Sequence, residues 1–310
     1  MCIFDPFIAL AMKKNFGHRG DGSPAFTYFL PKDYGIRSRP FSFCSGKNIL
    51  RGEFYFSRES DYKGLLVFFH GISAGRSSYT GEIAYFAKRG YLVMAYDNTG
   101  CMQSEGKGMV SLSQTALDQK AFFAYLDTLE GIRDLPRFAI GHSWGGYGAF
   151  LALQKEYKVQ KAVSVSGFFS FDSLIKEIAP QYAKLQPMLR GYVKRHFGEA
   201  ASKNVLDIIA ERNAPALYIQ GDADPVVPTA SHMGYLQKHK NEYPSISLYV
   251  AKGRRHQAFW SVDAQNYFTQ LFGDRGERNK GPLALSSVDF VRLTQDDPKI
   301  MKTIIDFLEK

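Results

Sequence analysis

The sequence is short of cysteine, with 3 in 310 residues, and it has no excess of acid and no long hydrophobic run. Cys2, Cys44 and Cys101 are spaced for neither a metal site nor a disulfide framework. A stapled secreted scaffold is therefore excluded, and a reducing compartment is favoured. The most apolar windows, 64–69 and 91–96, are far too short to cross a bilayer, so no stable membrane insertion is expected. No repeat or low-complexity tract occurs, and no G-x-G-x-x-G opens a helix after an early strand. Segment 100–107 looks like a phosphate loop. Its glycines are one residue too far apart, however, and no Ser or Thr follows Lys107. No histidine–carboxylate spacing argues for a metal, so neither metal nor cofactor is expected.

The chain does carry 39 Lys and Arg against 30 Asp and Glu, a net charge of +9. These basic residues run from Lys13 to Lys310, and the densest cluster, 252–255, is short. Without zinc-finger spacing or an RNA-binding aromatic motif, that charge reads as a solvated surface, and no nucleic-acid partner is expected. An aromatic content of 15% and buried-strand runs exclude disorder. At the N-terminus, MCIFDPFIALAMKKNF is interrupted by Asp5 and Pro6, and its lysines follow the apolar stretch instead of preceding it. That is the reverse of a secretory signal, so a short packed helix and a cytoplasmic protein are expected.

From residue 41 onward the pattern is a hairpin, PFSFCSG and ILRGEFYFS about a turn at Gly46, followed by alternating strands and helices. Short unpatterned apolar strands fall at 64–69, 91–96, 138–140, 161–165, 217–220 and 247–250; helices are expected at 79–89, 113–129, 145–154 and 298–308. This describes a mostly parallel sheet covered on both faces, made mixed by the front hairpin. The whole chain, 1–310, reads as one domain. In open sheets of this kind, sites form where the strands' carboxyl ends open into loops.

Residues 168–212 are too many for one crossover helix. Apolar residues at Leu174, Ile178, Tyr182, Leu185, Leu189 and Tyr192, with breaks at Pro180 and Pro187, predict a small helical cap. Leu185 and Leu189 are then expected to line a substrate pocket. Lys176, Lys184, Arg190, Lys194 and Arg195 would face solvent or draw in an anionic substrate. A second surplus, 263–287, separates the last strand from the final helix.

The strongest local signal is Gly141-His-Ser-Trp-Gly145 between an apolar strand and a small-residue helix start. A nucleophilic serine must project from a sharp, strained strand-to-helix turn, where neighbouring side chains two positions away would collide. Ser143 is thus the candidate nucleophile, and Gly141 and Gly145 support it. Of seven histidines, His256 lies just after the last strand, where a base belongs; His70 ends an early strand and reads as loop support. Asp222 and Asp224, after the strand at 217–220, compete as the acid: one is expected to order its turn, the other to reach His256. The candidate oxyanion donors are the amides of Trp144 and Ile72, with Gly71 letting its loop approach.

Together His70-Gly71, Asp97-Asn-Thr-Gly100 with Ser104, Gly141–Gly145, Asp224 before Val227-Pro228, and His256 resemble the α/β-hydrolase superfamily. The similarity is greatest to its monoacylglycerol lipase-like and serine aminopeptidase-like group. The resemblance implies an eight-stranded sheet with Ser143, Asp224 and His256 as nucleophile, acid and base. Cys101 and Met102 depart from it, standing where such enzymes often carry a second glycine. The function expected is cofactor-free hydrolysis of a small-molecule acyl ester. A peptidase using the same machinery would need an anchor for a peptide terminus, for which Glu177 and Glu199 are candidates. A ligand-binding protein of the same fold would have no need of the full catalytic set.

Overall fold

The computed structural model describes residues 4–171, 174–175, 180–273 and 285–310. Strands β1 (Arg37–Ser45) and β2 (Asn48–Phe56) form the expected hairpin, turned by Gly46 in the left-handed region. The strands that follow are β3 (Leu65–Phe69), β4 (Leu92–Tyr96), β5 (Arg137–His142), β6 (Val159–Val165), β7 (Ala216–Gly221) and β8 (Ile246–Ala251). One sheet holds all eight, in the order β1-β2-β4-β3-β5-β6-β7-β8. β2 runs antiparallel to β1 and β4, and the remaining pairs are parallel.

The two-residue period of a strand explains why LLVFF and LVMAY have no polar face. Leu65, Val67 and Phe69 enter one apolar cluster with α3 (Gln114–Leu126) and α4 (Trp144–Leu151). Leu66 and Phe68 enter the other, with α2 (Thr80–Lys88) and the final helix Pro298–Glu309. Helices therefore cover both faces, and only the strand ends remain open for a site.

The segment 168–212 differs from the expected cap. Its described part holds a short turn at Pro180–Leu185, then α5 (Gln186–Phe197), α6 (Glu199–Ser202) and α7 (Val205–Arg212). α7, capped by the Asn204 side chain, buries Val205, Leu206, Ile208 and Ile209 and packs against α4. It is the crossover into β7, not part of a cap. Pro187 lies in the first turn of α5, where its missing N–H costs nothing, so it begins that helix instead of breaking one. The expectations for Lys176, Glu177 and Ile178 and for the Tyr182 side chain lie outside the described residues.

The N-terminal segment forms the expected short helix, α1 (Asp5–Phe16), and Asp5 and Pro6 stand in its first turn. The Asp5 carboxylate is buried against the guanidinium of Arg195, so Arg195, itself exposed at the surface as expected, also ties α1 to α5. After α1 the chain crosses the β4–α3 loop as a strap. Gly20 N–H donates to Gly100 O (2.9 Å), Met109 N–H to His18 O and Val110 N–H to Phe16 O. The Arg19 guanidinium collects the carbonyls of Met102, Ser104 and Gly106. Met102, one of the two departures from the family pattern, has φ 42°, a left-handed conformation that glycine adopts without strain. Further on, Phe26 packs on Trp260, Phe268 and Phe272, and Tyr28 stacks on Phe290 at 3.7 Å. Beyond α8 (Met233–Lys238) the chain forms α9 (Val262–Phe272) and α10 (Phe290–Leu293), and the aromatic segment before the sheet packs on these last two.

Glu82, in the first turn of α2, is buried, and that burial pushes its carboxyl up to about 7. Asp296 is raised as well, by burial and by the charge of Glu82, and its Oδ1 has no hydrogen-bond partner among the described residues. An acid raised on folding binds more protons in the native state than in the unfolded chain. Stability should therefore be greatest below about pH 4.5 for this group and fall as pH rises towards about 7, by up to about 3 kcal/mol. Thermal unfolding at pH 5.5 and pH 8 should show the loss in wild type and a flatter profile in Glu82→Gln; equal slopes would refute it.

Candidate active site

Ser143 joins β5 to α4 with φ 56° and ψ −117°, a strained conformation for a residue bearing a Cβ. Its N–H is fixed to Val165 O at 2.8 Å. A Cβ at Gly141 would overlap the Gly145 carbonyl, and one at Gly145 would overlap the Phe69 carbonyl of β3. The first overlap lies within the turn, as expected; the second is with the neighbouring strand. Both glycines are thus required for the turn to close onto the sheet.

The structure brings Ser143, His256 and Asp224 together. His256 Nε2 lies 2.8 Å from Ser143 Oγ, and its Nδ1 lies 2.9 and 3.1 Å from the two Asp224 oxygens. Asp224 Oδ1 also accepts the Val226 and Val227 N–H groups at 2.8 and 3.0 Å. The expected division of labour between the two acids is therefore wrong. Asp224 both orders its own turn and reaches the histidine, while Asp222 accepts Gly253 N–H across the neighbouring loop. Burial alone would raise the Asp224 carboxyl. The bonds and charge of His256 and the two amides outweigh it and hold that carboxyl below the ordinary range.

The candidate oxyanion donors come from two elements. Trp144 is the first residue of α4, where a helix leaves its N–H groups without intrahelical partners. Its indole donates to Leu112 O at 2.7 Å. In the loop after β3, the Gly71 N–H is taken by Tyr79 Oη (3.1 Å), and Ile72 is the next residue on the open side. His70 supports this loop. Asn98 N–H donates to its Nε2, which leaves Nδ1–H for Gly71 O at 2.8 Å, and burial keeps the ring neutral by lowering its pKa.

A further pair was not visible in the sequence. Tyr79 Oη, accepting from Gly71, lies 2.9 Å from His142 Nδ1, and His142 Nε2 lies 2.9 Å from the backbone oxygen of His256. Only one proton arrangement satisfies every partner: Tyr79 donates to Nδ1, and Nε2–H donates to the carbonyl. Burial, and then the proximity of His256, lower the His142 pKa to about 3, so the ring stays neutral. Two buried side chains thus link the loop of Ile72 to the loop of His256. Gly141-His-Ser signals His142, but nothing in local spacing places a tyrosine 63 positions away against it. Tyr79→Phe leaves a buried N–H and a ring nitrogen unpaired. It should lower kcat by about 10- to 100-fold with little change in KM, because the loss is one of positioning. Steady-state kinetics with the kcat value unchanged would refute this.

Leu189 is 9% exposed, within the main apolar cluster, whereas Leu185 is 48% exposed at the start of α5. A cavity of about 620 Å³ lined by Tyr157, Phe197, Glu199 and Arg212 touches neither leucine nor the triad.

The chain has the fold of the α/β hydrolases. Residues 60–206 match the family model described as serine aminopeptidase, S33, a span that contains Ser143 but neither Asp224 nor His256. Among solved structures, the esterase Pf2001 of Pyrococcus furiosus superposes with TM-score 0.61 at 20% identity, covering 91% of this chain and 94% of that one. Est1E of Butyrivibrio proteoclasticus, solved with ferulic acid bound, gives 0.54 at 18% identity over 70% and 90% of the two chains. An acylaminoacyl peptidase of Pyrococcus horikoshii gives 0.57 at 16%, covering 89% of this chain but 41% of that one. No curated protein matches the sequence.

Proposed function

We propose that the protein is a serine hydrolase that cleaves a carboxylic ester, or a related acyl bond, of a small molecule through an acyl-enzyme on Ser143. The observation that supports this most is the continuous contact from Ser143 Oγ through His256 to a doubly amide-bonded Asp224. With Asp224 ionised, Nδ1–H of His256 points to the carboxylate and Nε2 is left to accept the Ser143 proton. Oγ then attacks the acyl carbon, and the carbonyl electron pair moves onto its oxygen, stabilised by the Ile72 and Trp144 N–H groups. As the carbonyl re-forms, the alcohol leaves with the proton from His256. Water repeats the sequence on the acyl-serine, giving the free acid and restoring the serine. The chemistry draws on these side chains, the two backbone N–H groups and water.

The aminopeptidase-type family match favours a second reading, cleavage of a peptide bond. Of the two acids that could anchor a peptide amine, Glu199 is paired with Lys194 at 2.6 Å and Glu177 lies outside the described residues. Nitrophenyl esters of increasing acyl length, assayed beside an aminoacyl anilide, separate the readings. Ester turnover well above anilide turnover is expected, and the reverse ranking would overturn the ester assignment. The scarcity of cysteine, with Cys44 and Cys101 both free, supports a reducing, cytoplasmic setting.

A further inference from the structure

Helix α1 has two apolar faces, and only one of them is used. Met12 is buried and Ile8 and Phe16 are partly covered, so this side packs into the main cluster. On the other side, Phe4, Phe7 and Leu10 recur every three residues and are 48%, 71% and 66% exposed. Scattered exposed apolar residues need no explanation, but three large ones aligned on one short helix do. The first turn of α1 is fastened to the last turn of α5 by Asp5 and Arg195, so the two helices present a joint surface. Leu185, also strongly exposed, lies at the start of α5.

The charge on this surface has one sign. α1 and residues 180–197 together contain Lys13, Lys14, Lys184, Arg190, Lys194 and Arg195 against a single acid, Asp5. That acid is buried in its pair with Arg195, and Lys194 pairs with Glu199 of the next helix. Lys13, Lys14 and Lys184 are all exposed.

We propose that the outer face of α1, with the adjoining basic face of α5, is a docking surface for an anionic lipid bilayer. A helix that presents phenylalanine and leucine to one side, flanked by lysines, suits a position in the plane of the interface. The apolar side chains enter the acyl boundary while the ammonium groups meet lipid phosphates. No helix among the described residues is long and apolar enough to cross a membrane, so the association is one of lying on the surface. Self-association through the same face is disfavoured by its charge, since a symmetric pair would bring two basic surfaces together. A nucleic acid would satisfy the lysines but leave Phe7 and Leu10 without apolar contact.

Co-sedimentation with vesicles tests this, using phosphatidylcholine alone and phosphatidylcholine mixed with phosphatidylglycerol. Binding should be strong only to the mixed vesicles and should weaken as salt rises from about 0.05 to 0.5 M. Lys13→Glu/Lys14→Glu and, separately, Phe7→Ser/Leu10→Ser should each weaken it by about tenfold or more. All four positions are exposed, and thermal unfolding checks that each variant is folded. Ser143→Ala should bind as wild type does, which keeps the docking result separate from the hydrolase assignment. The proposal is overturned if mixed vesicles do not bind the protein at low salt, if binding ignores lipid charge, or if both double variants bind unchanged. A concentration-dependent dimer that Phe7→Ser/Leu10→Ser dissociates, with no vesicle binding, would assign the face to a second copy instead.

Discussion

Ser143→Ala should lose turnover on the order of 10⁴-fold or more and should no longer react with a fluorophosphonate probe, while the fold persists. The loss is large because the serine oxygen is the only atom that the exchange removes from the reaction path. The rest of the turn is unaffected: alanine keeps the Cβ that is already accommodated at φ 56°, and the N–H bond to Val165 O remains. Thermal unfolding within a few degrees of wild type, together with absent labelling, is the expected pair of results. An alanine variant that still turns over esters well would remove the acyl-serine mechanism altogether.

Asp224→Asn should be nearly as damaging, about 10⁴-fold in kcat, for a reason that the surrounding bonds dictate. Val226 and Val227 N–H groups both point at Oδ1, so the asparagine must turn its carbonyl oxygen towards them. Its NH₂ then faces His256 Nδ1, which can only accept. The imidazole proton moves to Nε2, where it meets Ser143 Oγ, and the ring can no longer take the serine's proton. Asp222→Asn should lose no more than a few-fold, since Asp222 serves one exposed N–H of Gly253. Kinetics of the two variants side by side decide the matter: a more impaired Asp222 variant would exchange the roles assigned here.

Inner strands such as β3 and β4 were legible because burial on both faces leaves an unbroken apolar run, as in LLVFF, that surface segments do not imitate. The hairpin of β1 and β2, exposed along part of its length, was legible from its turn at Gly46 instead. The elbow was legible because its glycines answer a steric demand within a few residues of the serine. The choice between Asp222 and Asp224 was not legible from the residues alone. Both lie in one short turn, and which faces the histidine depends on how β7 and β8 pass their loops together. Tyr79 escaped notice because it meets His142 only after two distant loops have packed, and no local pattern encodes such a meeting. The cap boundary failed for a simpler reason: a crossover helix on the sheet and a helix above it show the same apolar spacing, and only the packing of α7 on α4 tells them apart.

The strap before the sheet has a consequence for how the chain is made. Residues 16–29 are synthesised before the distant groups that hold them: the carbonyl of Gly100, the Met109 and Val110 amides, and the rings of Phe268, Phe272 and Phe290. During translation, therefore, Phe16, Phe26, Tyr28 and Phe29 remain uncovered until at least the β4–α3 loop, and for the aromatic cluster nearly the whole chain, has emerged. Such a leading apolar segment invites capture by other nascent chains or by chaperones. A segment made before the whole sheet is thus among the last to acquire its place.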